Sequence, residues 1–240
     1  MRILLVGYGR MGQMVGDLAP EYGCEVAGIV DPASPRHAGD VRDARWEGVD
    51  AAVDFTSAEA VLENVPVLAE RGINIVLGTT GWQAQEAVLR KALVTAGTGI
   101  VAAPNFSIGV VLFEAIAAQA ARLFSGQGDF GAWLHEAHHA MKKDAPSGTA
   151  LLLKRTMEAA GYDRPIDVSS TRAGHIPGVH TIGFDGPSES ITLTHSARNR
   201  SAFARGALIA ARWLQGKRGW FTMHDVLGVQ DPRSTATDGR

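Results

Sequence analysis

Three glycines in the segment GYGRMG, at positions 7, 9 and 12, follow an apolar run at 3–6 directly and open a helical stretch. An acid, Asp31, closes the next apolar run about 20 residues on. In that setting each glycine has a separate task. The first permits a tight strand-to-helix turn, the second lets backbone amides approach a pyrophosphate, and the third lets helix and strand pack closely. The N-terminus of the helix then faces the phosphate. Glycine spacing alone describes any sharp turn; strand, helix and terminal acid together predict a dinucleotide-binding turn made of Gly7, Tyr8, Gly9, Arg10, Met11 and Gly12. The Asp31 carboxylate suits the ribose hydroxyls of NADH and repels the extra phosphate of NADPH, whereas Arg10 and Arg36 could pair with that phosphate. Use of both cofactors, with NADH at least as effective, is the expectation.

The rest of the first half carries the same rhythm. Apolar runs at 3–6, 25–30, 51–55, 73–77 and 99–103 alternate with helical patterns at 58–71 and 82–95, with Thr56 and Ser57 as N-caps before the first and Gly81 before the second. Such alternation implies a parallel sheet with helices on both faces. Beyond 103 the pattern changes to a long apolar helix at 110–124, a histidine-rich strand, a helix from Ser147 to Ala160, a loop, and strands near Val179 and Ile191. A last helix at 201–214, with Phe203, Ala207, Leu208, Ala210, Ala211 and Leu214 on one face, is expected to return to the first domain. The fold expected is α/β: a Rossmann-type parallel-sheet domain of residues 1–104 and 200–240, and a second, α+β domain of residues 105–199.

With 240 residues the chain can bury a large core unaided, and its single cysteine, Cys24, sits in an apolar run as a small buried thiol. Lys and Arg total 23 against 25 Asp and Glu, so the net charge of −2 gives no field that would recruit nucleic acid or an anionic membrane. The N-terminal apolar run is too short for a signal peptide's core or a membrane span, which makes a cytoplasmic address the default. Residues 231–240, rich in Ser, Thr, Asp and Arg, read as a frayed tail.

The most informative stretch is HEAHHAMKKDAPSGT, at 135–149. Histidine and lysine can donate protons near neutral pH and can bind carboxylates, and a helix beginning at Ser147, Gly148 and Thr149 offers free N–H groups to an anion. Three plainer readings compete. Asp144 or Ser147 could simply cap a helix beside solvated lysines, and one histidine could be a satisfied core residue. Metal binding by His135, His138 and His139 is the third, but adjacent strand residues point to opposite faces and no HExxH pattern is present, so no metal is expected.

The block EAHHAMKKDAPSGTA at 136–150 resembles the long motif of the 4-hydroxy-tetrahydrodipicolinate reductase family, also called dihydrodipicolinate reductases. The segments GYGRMG, GTTGW at 78–82, APNFSIGV at 103–110 and FARGALIAARWL at 203–214 resemble the same family, so the likeness spans nearly the whole chain. It implies that His138 is the acid/base histidine, Lys142 the proton-donating lysine and His139 a substrate contact. It also implies that Gly148 and Thr149 clamp a substrate carboxylate, to which the helix start at Ser147 adds its N–H groups, and that the second domain serves substrate binding and oligomerisation. Gly78, Thr79 and Thr80, with Ala103, Pro104, Asn105 and Phe106, match the cofactor loops. Two departures bear on cofactor preference: many members have one more residue in the glycine turn, and many carry arginine where this chain has Pro32.

The reaction implied is NADH- or NADPH-dependent reduction of 4-hydroxy-tetrahydrodipicolinate to tetrahydrodipicolinate with loss of water, in the diaminopimelate route to lysine. The implied partners are a small dicarboxylate and further copies of the chain in a homotetramer. Another two-domain Rossmann dehydrogenase, acting on a sugar or a semialdehyde, would need a different motif. A non-catalytic NAD-binding regulator would bind NADH without consuming it, and a metal-dependent hydrolase would hold stoichiometric zinc and be chelator-sensitive.

Overall fold

The computed structural model describes residues 1–232, so most of the expected tail lies outside the described residues. The chain divides into two compact units, Met1–Ile108 with Ser201–Gly228, and Gly109–Arg200 with the described residues from Val229 on.

Six parallel strands form the sheet of the first unit, in the spatial order β10 (Gly219–Phe221), β5 (Gly99–Ala102), β4 (Asn74–Leu77), β3 (Ala51–Asp54), β1 (Arg2–Val6) and β2 (Glu25–Val30). β3 and β5 are buried along their whole length, as strands covered on both faces must be, which is why they read as apolar runs, broken only by Asp54 at the end of β3. The chain leaves β1 for β2 on one side and returns to β3 on the other. This reversal opens a crevice at the carboxyl ends of β1 and β3, where doubly wound sheets bind ligands. The covering helices are α1 (Arg10–Leu18), α2 (Ala58–Glu70), α3 (Glu86–Ala96), α6 (Ser201–Trp213) and the short α7 (Met223–Leu227). α6 is tied to the turn after α1: its Arg205 pairs with Glu21 at 2.7 Å and its Arg212 donates to the Tyr22 carbonyl at 3.0 Å. The stretch at 82–95 divides into a 3₁₀ turn, Gln83–Gln85, followed by α3. β10 and α7, unanticipated from the sequence, are three and five residues long, too short to show a period.

The second unit is a four-stranded sheet in the order β7 (Ile166–Arg172), β6 (Gly131–His138), β8 (Val179–Asp185) and β9 (Ser190–Ser196), with β7 parallel to β6 and the other neighbours antiparallel. α4 (Ile108–Ser125) and α5 (Gly148–Ala159) cover one face around a core of Phe113, Ala117, Leu134, Leu153, Ile182 and Phe184. β7 corrects the sequence reading, which left that stretch as a loop. Its segment IDVSSTR is exposed at Asp167, Ser169, Ser170 and Thr171, and so carries too few apolar residues to announce a strand. α4 is long and apolar enough to cross a membrane by length and composition, but Phe113, Ala117 and Ala121 place one side of it in this core.

Candidate functional site

Two groups of residues gather chemistry, one in each unit. In the first, the crevice at the sheet's carboxyl edge is a cavity of about 430 Å³ lined by Gly7, Gly9, Asp31, Arg42, Thr56 and Asn64 among others. Gly7 has φ +85°, and a Cβ there would lie 2.4 Å from the Phe55 carbonyl oxygen, so only glycine fits between β1 and the end of β3. A Cβ on Gly9 would meet nothing within 4 Å; bare backbone faces open space at the N-cap of α1, which has no side-chain cap. That combination suits the close approach of a phosphate to free N–H groups. Asp31 is tied into the same turn, accepting from the Tyr8 amide at 2.8 Å and the Ala33 amide at 3.0 Å. Arg10 is exposed. The arginine lining the crevice is Arg42, paired with Asp40 at 3.2 Å, and it lies 11 residues beyond Asp31, too far along a loop for the sequence to place.

The other expected cofactor residues follow β4 and β5. The Thr79 hydroxyl is committed internally, donating to Asp54 at 2.8 Å and accepting from the Thr56 amide at 2.7 Å, so that loop presents its backbone and the exposed Thr80 to a ligand. Burial pushes the Asp54 carboxyl up, and its hydrogen bonds from Thr56, Thr79 and Asn64 oppose this only in part. A Cβ at Gly78 would strike the Phe55 ring at 2.1 Å. Ala103 and Phe106 are buried, Pro104 is exposed, and Asn105 turns its loop by accepting from the Ser107 amide at 2.8 Å.

In the second unit the period-two alternation of β6 decides the site. Ala132, Leu134, Glu136 and His138 point to the helix-covered face, so an acid and a histidine arrive side by side in a core. His135 points the other way, its Nδ1 2.9 Å from the Ser169 hydroxyl, so the three histidines at 135, 138 and 139 do not converge. Glu136 is fully buried and compensated on every side. Arg172 of β7 reaches its two oxygens at 2.7 and 3.0 Å, the Ser147 amide donates at 3.3 Å, and His138 Nδ1 makes a short hydrogen bond to Oε2. Burial favours the protonated acid, but the bonds from Arg172, Ser170 and His138 outweigh it and hold the Glu136 carboxyl at about 2. Burial lowers the His138 pKa below the ordinary histidine value, with Glu136 working against it. His180 of β8, whose ring lies 5.2 Å from that of His138, is pushed down to about 4 by burial and is neutral. Ligand atoms of Glu136, His138 and His180 come within 4.8 Å of one another, but the Arg172 guanidinium already supplies the positive charge a cation would bring.

Lys142 is largely sheltered and pairs with Asp144 at 2.8 Å, while Lys143 is exposed. Ser147 is the N-cap of α5. Its hydroxyl accepts from the Ala150 amide and stands 3.2 Å from His180 Nε2, so hydroxyl and amide are both engaged within the protein. Gly148 is exposed, with nothing within 4 Å of where its Cβ would be, and Thr149 and His139 are half-buried. Sequence reasoning missed Glu136, Arg172 and His180. The signal for Glu136 was present, since a strand period that buries Leu134 and His138 must bury the residue between them.

A crevice at the switch of a parallel sheet, where doubly wound folds bind dinucleotides, and a histidine–carboxylate pair with a lysine near a helix N-terminus on a second unit fit a two-unit Rossmann oxidoreductase. Residues 1–106 match the family described as dihydrodipicolinate reductase, N-terminus, and residues 109–227 match its C-terminus. The chain belongs to the dihydrodipicolinate reductase family. It is 32% identical over 238 residues, covering 95% of this chain and 98% of the relative, to the 4-hydroxy-tetrahydrodipicolinate reductase of Christiangramia forsetii. It is 44% identical over 200 residues, 75% of this chain and 73% of the relative, to the enzyme of that name from Myxococcus xanthus. Among solved structures it resembles a dipicolinate-bound dihydrodipicolinate reductase from a Paenisporosarcina species, with a TM-score of 0.79 at 21% identity, covering 92% of this chain and 97% of that one.

Proposed function

We propose that the chain reduces 4-hydroxy-tetrahydrodipicolinate to tetrahydrodipicolinate with release of water, as its named relatives do, in the diaminopimelate route to lysine. The observation that carries this reading is the cluster on β6 and the start of α5: a buried carboxylate orienting a histidine, a sheltered lysine and a helix N-terminus left open by Gly148. NADH or NADPH, when bound, supplies the hydride. Gly7, Tyr8, Gly9, Arg10, Met11 and Gly12 would hold its pyrophosphate, Asp31 its ribose, and the loops 78–80 and 103–106 its nicotinamide end. The protein's own part is orientation and protons. His138 and Lys142 deliver a proton to the electron-rich carbon skeleton left after hydride arrives. Gly148 and Thr149, with His139, grip a carboxylate, while Ser147 shapes that grip as the cap. A dicarboxylate beside His138 raises the histidine's proton affinity, so binding itself loads the donor. The decisive experiment is NADH consumption in an assay coupled to dihydrodipicolinate synthase; binding of NADH without consumption would overturn the reading.

The same reading places the enzyme in the cytoplasm, with the NADH and NADPH pools it draws on, and makes it a homotetramer. In support of self-association, the sheet face opposite the helices presents Trp133, His135, Thr171, Thr181 and Thr194, with no helix or strand of the second unit over them among the described residues. Sedimentation velocity measures the mass.

Two expected outcomes bear on the ligands. Thr149→Val should weaken inhibition by pyridine-2,6-dicarboxylate and raise substrate KM by about 1.5–3 kcal/mol, the worth of a hydrogen bond to a charged group, with NADH binding unmoved. Unchanged inhibition would place the carboxylate grip elsewhere. Asp31→Ala should shift the kcat/KM ratio toward NADPH by removing a charge from the crevice; equal ratios before and after would separate Asp31 from the ribose.

A further inference from the structure

We propose that Glu136, clamped by Arg172, is the positioning residue of the proton-transfer site: it fixes His138 with its Nδ1 proton turned inward and its Nε2 as the atom that exchanges protons. This rests on the function proposed above and goes further, to a fully buried carboxylate and the arginine paired with it.

The geometry assigns the atoms. An ionised carboxylate only accepts, so the bond between Glu136 Oε2 and His138 Nδ1 requires the proton on Nδ1. In the neutral ring Nε2 then carries the free lone pair. That nitrogen faces Gly178, where a Cβ would stand 3.1 Å away; Gly178 has φ +141°, and glycine there keeps a methyl group off the exchanging atom. A buried carboxylate does this task only if it stays ionised. Arg172 secures that with its two bonds to Glu136, and it also donates to the Asp144 carbonyl at 2.6 Å, tying down the loop that carries Lys142. Glu136 in turn accepts from the Ser147 amide, at the first turn of α5. One ion pair thus sets the tautomer of His138, the position of Lys142's loop and the start of the carboxylate grip. The charged and titratable groups facing His138 are Glu136 from β6, Lys142 from the following loop, Arg172 from β7 and His180 from β8, and burial holds His180 neutral. Of these only Glu136 favours imidazolium. Its charge therefore sets the pH at which His138 is loaded.

Two measurements on the whole protein test this. Nitrogen-15 NMR of the wild-type histidine rings, with the His138 signals assigned through His138→Ala, should show the Nδ1–H tautomer; an Nε2–H tautomer overturns the proposal without any appeal to activity. In Glu136→Gln, which keeps the side chain's size and an acceptor, the fall of kcat with rising pH should begin about one unit lower than in wild type. Turnover at pH 8 should drop roughly tenfold, the factor one unit corresponds to, with NADH affinity retained. The limb is absent in His138→Ala. A Glu136→Gln enzyme that loses thermal stability but keeps its pH limb would reduce Glu136 to a structural ion pair and sink the idea. Should the variant fail to fold, the wild-type tautomer still decides. A wild-type protein that shows the Nδ1–H tautomer but turns over no dicarboxylate would overturn the proposed function and leave the positioning intact.

Discussion

Alanine in place of His138 is expected to slow turnover by roughly a hundredfold to ten-thousandfold, the usual contribution of a positioned acid or base, with NADH affinity close to wild type. The same range is expected for Lys142→Ala. Both residues sit in the second unit, beside the helix N-terminus proposed to grip the substrate, whereas the crevice proposed to hold the nucleotide is built by the first, so chemistry and cofactor binding should separate cleanly. Lys143→Ala is the matched control. Its side chain is exposed, in contrast to Lys142, and its loss should leave kcat near the wild-type value. Equal damage from Lys142→Ala and Lys143→Ala would mean that bulk positive charge near the loop, not a placed proton, accelerates the reaction. The pH dependence has a definite sign. Burial lowers the pKa of His138, so in the free protein the proton is lost below the ordinary histidine range, and kcat/KM should fall as pH rises through it. The dicarboxylate proposed to bind beside His138 would oppose that shift, so the corresponding fall in kcat should come at higher pH.

What the sequence disclosed and what it hid follow from the range of the forces involved. Strands buried on both faces, such as β3 and β5, announce themselves because nearly every residue is apolar, Asp54 at the end of β3 excepted, and Gly7 and Gly12 do so because backbone sterics leave no other choice. β7 was hidden because its pairing with β6 is a property of two distant segments, and its outward side chains are polar. Glu136 and Arg172 are 36 residues apart, and no local pattern connects them. Ser147 was legible as a cap, but the engagement of its hydroxyl and amide within the protein depends on His180 and Glu136 arriving from other strands. Residue type and spacing pointed to the candidate groups, and long-range pairing decides which of their atoms are already engaged within the protein.

Gly206→Ala should cost about 3 kcal/mol, the upper end for an overpacked core, although alanine ordinarily strengthens a helix interior. The reason is the partner it would meet. In the sequence this glycine is one small residue in the run ARGALIAA, and helix propensity alone would favour its replacement. In the structure a Cβ on Gly206 would stand 1.7 Å from the carbonyl oxygen of Phe106 and 2.8 Å from its carbonyl carbon. Both are backbone atoms, so no rotamer change relieves the clash; α6 must move off the loop that follows β5, or the loop must move off its strand. That loop, Ala103 to Phe106, is proposed to hold the nicotinamide end of the cofactor, and the buried Phe106 ring packs 6.3 Å from that of Phe55 at the end of β3. The clash should therefore reach the crevice, weakening NADH binding as well as the fold. A loss of this size corresponds to a melting temperature lower by about 6–12 °C in a protein of this length. Gly126→Ala is the internal comparison: its added methyl would meet nothing within 4 Å, and its expected effect is close to zero. Differential scanning calorimetry with and without NADH measures both terms. If Gly206→Ala melted with wild type and bound NADH as tightly, the contact between α6 and the 103–106 loop would be loose enough to take a methyl group, and glycine at 206 would have no packing reason.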